Sequence, residues 1–139
     1  MTNLRRQPDD WLLRLLPDEW IRAALGELAR AEDALKRGQG RAGTAGCKRA
    51  AGMALNAALI VEPNAGWGRT YLEHVEALAR DGTIPEAVRA ACKVVLEARP
   101  PSGDVVSLRT PRSHEPLLEA ARDVIAHAWF VVKRHETVS

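Results

Sequence analysis

The sequence predicts an all-α protein, an up-and-down bundle of four to five helices. Three observations carry that expectation. Of 139 residues, 23 are Ala and only six are aromatic, four of them Trp. Ala loses no side-chain entropy in a helix, so this composition favours helix. Apolar residues recur at helical spacing over long stretches, and strand formers never run long. The links between the periodic stretches are short, which sets successive helices antiparallel. A β-sandwich and a parallel α/β sheet are set aside on these grounds. The length, with 46% hydrophobic and 27% charged residues, suits one globular domain.

Residues 1–7 read as a flexible tail and 136–139 as a second, leaving 8–135 as the domain. Pro8-Asp9-Asp10 precedes Trp11, Leu12, Leu13, Leu15 and Leu16, a pattern for a short two-turn helix. Pro17-Asp18-Glu19 starts the first long helix. Its inward positions are Ile21, Ala24, Leu25, Leu28, Ala31 and Leu35, and Lys36-Arg37-Gly38 closes it. The second helix, Arg41–Val61, is almost wholly small or apolar. That character on several faces marks a central helix, and Gly43, Gly46 and Gly52 predict a neighbouring backbone at close range.

Glu62 to Gly68 breaks the second helix. The third fits Thr70–Arg80, with Tyr71, Leu72, Val75, Leu78 and Ala79 inward. Thr83-Ile84-Pro85-Glu86 has the capping-box pattern, so Thr83 is expected to cap the fourth helix, which runs to Arg99. Ile84, Val88, Ala91 and Val95 face inward there. Val105–Leu108 is extended but too short for a sheet. Ser113 is expected to cap the fifth helix, which runs to about Arg134 through Leu117, Leu118, Ala121, Val124, Ile125, Ala128 and Val132. Trp129-Phe130-Val131-Val132 is apolar all round, which predicts a subunit interface.

A net charge of +2 is too small to imply nucleic acid by itself. The basic residues are sixteen Arg and four Lys. Cys47 and Cys92, 45 positions apart, fit neither zinc spacing nor a disulfide framework and read as small buried hydrophobes. The polar start and the absence of any apolar run near ~18 residues lead to the expectation of a cytoplasmic chain with no membrane span. No motif calls for a cofactor, and no His-Glu-x-x-His or Glu-x-x-His pair calls for a metal.

Two constellations carry chemistry. Lys36, Arg37, Arg41, Lys48 and Arg49 straddle the first helix turn with no acid between Ala34 and Val61. Such a patch can bind phosphate groups, but the plainer account is that it complements the negative pole of the first helix and forms a solvated turn. Gly38, Gly40, Gly43 and Gly46 follow no strand and precede no Gly-Lys-Ser/Thr, so they read as turn and packing, not a phosphate loop. The second constellation is Arg109-Thr110-Pro111-Arg112-Ser113-His114, at the start of the fifth helix. A helix start attracts anions. An Arg can stabilise a pentavalent phosphate, and an imidazole can move the proton of a 2′-hydroxyl. Ser113 as a cap accounts for the same locality without chemistry. His74 reads as part of a solvated helix face beside Glu73 and Glu76, and His127 as a core or interface side chain.

Over roughly residues 18–134 the order of elements resembles the HEPN superfamily of small helical bundles. The resemblance lies in several stretches: Ala34-Leu35-Lys36-Arg37-Gly38; the small-residue run Ala50 to Leu59; Gly68-Arg69-Thr70-Tyr71-Leu72; Ile84-Pro85-Glu86; and the Arg-led loop before the last helix. Tyr71 stands where such sequences often have His. The resemblance implies a four- to five-helix bundle that often dimerises, and the apolar run in the C-terminal helix is the expected contact. It also implies one of three roles. The first is a non-catalytic interaction module binding nucleotide or RNA, sometimes linked to an antitoxin-type protein. The second is a metal-independent endoribonuclease, in which Arg109 and His114 form Arg-x4-His and Arg112 helps position the phosphate. The third is a purely protein-interaction bundle. Thr110 and Pro111 depart from the polar residues usual after the Arg.

Overall fold

A computed structural model describes residues 12–100 and 114–136. It is all-α. Five helices follow in order: α1 (Pro17–Lys36), α2 (Gly40–Val61), α3 (Tyr71–Arg80), α4 (Glu86–Glu97) and α5 (Glu115–Glu136). A short 3-10 helix, Ala65–Trp67, lies between α2 and α3. There is no strand among the described residues. The expected tail 1–7, the segment Val105–Leu108 and Ser113 lie outside the described residues. Of the expected N-terminal helix, 12–16 is described; only 12–14 is helical, as a 3-10 turn, and the Leu12 carbonyl accepts from Trp20 Nε1 at 2.8 Å.

α2 is the axis of the bundle and touches each of the other four helices. Its side chains are small enough to allow this. Ala50, Ala51, Ala54, Leu55, Ala57 and Ala58 are all buried. The close approaches expected at its glycines are present. A Cβ on Gly46 would sit 2.9 Å from Ala31 Cβ of α1, and one on Gly52 would sit 2.7 Å from Tyr71 Cα of α3. Only a missing side chain lets the backbones meet so closely. Cys47 and Cys92 are buried in this core as expected, and burial pushes their thiols up to about 11 and about 12.

Several local expectations change. On α1, Leu25 is 49% exposed rather than inward; the buried stripe is Trp20, Ile21, Ala24, Leu28 and Ala31. On α3, His74 is buried and Leu72 exposed, the reverse of expectation. The helical period explains the exchange. Tyr71, His74, Val75, Leu78 and Ala79 form one stripe at i, i+3, i+4, i+7 and i+8, and Leu72 lies about 100° off it. Thr70 caps α3 and forms a reciprocal box with Glu73. Thr83 does not cap α4. Its amide and hydroxyl both donate to Asp81 Oδ1, at 2.9 and 2.7 Å, and α4 starts only at Glu86. Asp81 has captured the hydroxyl in a local turn, which competes with capping. α5 runs on to Glu136, two residues past its expected end.

Burial holds the His74 ring below its ordinary protonation range, against its contact with the Trp67 carbonyl (Nδ1 to oxygen, 3.0 Å) and the charge of Glu73. Burial, then Arg134, lowers His127 as well, with Glu62 opposing. The unfolded chain therefore takes up these protons first as pH falls. Stability is full above the ordinary imidazole range, about 6.5, and declines as pH drops through it. The urea midpoint is expected to be lower near pH ~5.5 than near ~7.5, with a shallower decline in a His74→Gln chain. Equal midpoints in the unaltered protein would contradict this.

Candidate functional site

The basic residues of the α1–α2 turn divide into two sets. Lys36 and Arg37 are exposed and pair within α1, Lys36 with Glu32 at 3.6 Å and Arg37 with Asp33 at 3.0 Å. Arg41 is exposed in the first turn of α2. Lys48 is half-buried, and Arg49, though exposed, is held by a neighbouring helix. Lys48 Nζ donates to the Leu96 carbonyl at 3.3 Å, at the end of α4, where a cation meets the negative helix pole. Arg49 Nε donates to Glu27 of α1 at 2.7 Å. Burial opposes ionisation of Glu27, but Arg30 and Arg49 outweigh it and hold the carboxyl below its ordinary range.

His114 stands immediately before α5, half-buried, and its carbonyl accepts from the amides of Leu117 at 3.2 Å and Leu118 at 3.1 Å. The place before the first helical residue thus belongs to His114. Arg109 and Arg112 lie outside the described residues.

The glycines of the α1–α2 turn and His114, distant in sequence, meet at one end of the bundle, while none of the five basic side chains lines the groove there. A groove of ≈ 470 Å³ there is lined by Gly38 and Gly40 of the turn, Thr44 of α2, Arg99 after α4, and His114. Leu35, Val94 and Leu117 form apolar wall, and Glu97 adds an acid. Sequence reasoning missed Thr44 and Arg99. One signal was present: Thr44 is the only hydroxyl in the run from Arg41 to Val61. Among the described residues, no group of three or more His, Cys, Asp or Glu side chains is placed to hold a metal ion.

A second feature lies on the outer face of α5. Trp129 and Phe130 are 49% and 56% exposed, while Val131 and Val132 are buried. Lys133 Nζ stands 5.5 Å from the Trp129 ring centre, and the Arg134 guanidinium 5.7 Å from that of Phe130. Arg134 also donates to Glu62, with Nε at 3.1 Å and Nη2 at 2.8 Å. Phe130 further forms part of a cleft with Trp67, Ile84 and His127. No helix among the described residues is long and apolar enough to cross a membrane. Compared with known proteins, the chain matches no family model, no curated protein and no solved structure.

Proposed function

We propose that the chain is a HEPN-like, non-catalytic module that binds nucleotide or RNA at the end groove and pairs with a second copy through α5. The observation that supports the ligand class is the convergence on the groove of the start of α2, Arg99 and His114. The starts of α2 and α5 and the Arg99 guanidinium favour an anion in this concave site, against the ends of α1 and α4 and the Glu97 carboxylate. The apolar wall suits a base better than a bare inorganic anion.

Titration with single-stranded RNA in chelator tests this. Binding is expected to weaken as salt rises. Arg41→Ala is expected to reduce the slope of log K against log salt by about 0.7, the value for one phosphate contact on a single strand. The RNA is expected to stay intact. The second reading, endoribonuclease, is favoured by the position of His114 on the groove. Cutting by the unaltered chain in chelator, abolished by His114→Ala, would replace the first reading with the second. Absence of any RNA binding would remove both and leave the protein-interaction role, including an antitoxin-type partner.

The pairing rests on Trp129 and Phe130, two large rings half-exposed side by side on an otherwise well-packed helix. Such rings anchor interfaces when a partner covers them. Sedimentation of the unaltered chain is expected to give a dimer and of Trp129→Asp a monomer. A monomeric unaltered chain would end the pairing proposal.

A further inference from the structure

At the edge of the groove, where Gly40 and Thr44 line it, lies a donor set of a particular shape. α2 opens with Gly40, Arg41 and Ala42, whose amides precede the first helical hydrogen bond. The Gly43 amide already donates to the Gln39 carbonyl at 2.9 Å, and the Gln39 side chain caps none of the other three. That first turn carries no acid. Thr44 follows Gly40 by one turn on the same side. It is only 5% exposed, it lines the groove, and it has no hydrogen-bond partner among the described residues. Helix side chains lean toward the helix start, so this hydroxyl leans toward the free amides. Gly40, with no side chain, leaves the approach to the amides open.

We propose that this end of the groove binds a phosphate monoester, held by the amides of Gly40, Arg41 and Ala42 with the Thr44 hydroxyl as a fourth donor. The phosphate belongs to a free nucleoside monophosphate or to the 5′ end of an RNA. The inference rests on the groove being a nucleotide or RNA site and specifies which phosphate enters it. A monoester carries nearly two negative charges at neutral pH, against one for an internal diester, so the helix start and Arg99 favour it. The base lies on Leu35, Val94 and Leu117, and Glu97 opposes the anion. The volume of ≈ 470 Å³ suits one nucleotide, not a paired strand. Gly38 and Gly40 accordingly do more than turn the chain.

The test uses the full chain and one short single-stranded RNA, prepared with a 5′-phosphate and with a 5′-hydroxyl, alongside adenosine monophosphate. The phosphorylated strand is expected to bind about tenfold more tightly, and the monophosphate to displace it. Thr44→Val, which keeps the buried shape, is expected to lose about tenfold for the phosphorylated strand alone, the loss of one hydrogen bond to a charged group. Glu97→Gln is expected to tighten it. Thermal melts confirm that both variants fold. Equal affinity for the two strands, or an unchanged Thr44→Val, overturns the monoester site while RNA binding itself stands. Monophosphate binding that depends on Thr44, with neither strand bound, upholds the site and removes RNA as its source. No binding of any probe overturns both.

Discussion

Gly52→Ala is expected to destabilise the bundle by about 1–3 kcal/mol, although Ala is the better helix former by ~1 kcal/mol. The new Cβ would lie 2.7 Å from Tyr71 Cα. That neighbour is backbone, and the Thr70–Glu73 capping box anchors it, so it cannot swing aside. Overlap therefore outweighs propensity. Gly26→Ala is the matched comparison. Its Cβ would meet only the Arg30 Nη1 end, at 3.8 Å, and the substitution is expected to stabilise by ~1 kcal/mol. Urea unfolding of both variants reads the two signs directly. A stabilised Gly52→Ala would mean that α2 and α3 do not touch at that point.

The second large effect runs the other way. Asn56 is fully buried in α2, and neither end of its amide has a hydrogen-bond partner among the described residues. Burying such a group without partners costs about 1–3 kcal/mol. Leu has the same branching, so Asn56→Leu is expected to raise stability by about 1–3 kcal/mol and to move the unfolding midpoint upward. A loss of stability would show that the amide makes interactions worth more than its desolvation.

The helices were legible because periodicity and composition agreed. The Ala-rich α2 announced its central place through small residues on several faces, and its glycines announced close neighbours. Finer placement failed where two sequence signals competed. Leu72 outranks His74 in hydrophobicity, yet phase along α3 puts His74 inside. Thr83 had the right spacing from Glu86, but Asp81 two residues earlier takes its amide and hydroxyl. Leu25 satisfied the i+4 rule and still faces outward, because the α1 stripe is centred on Ile21, Ala24 and Leu28. For the groove, the sequence supplied His114 and the basic turn as separate pieces. Their meeting depends on how helix ends are brought together, which spacing along the chain does not encode. Nor could spacing show that Lys48 and Arg49 would be taken up by Leu96 and Glu27.

The two thiols offer a way to watch this molecule breathe. Thiolate is the reacting form, and both sulfurs are enclosed with their ionisation pushed far up. A modifying reagent can therefore reach them only during transient opening. One sulfur rides on α2 and the other on α4, so their separate modification rates distinguish loosening of the axis from detachment of a peripheral rod. The chain thus carries two native clocks for its own fluctuations, with no engineered label required.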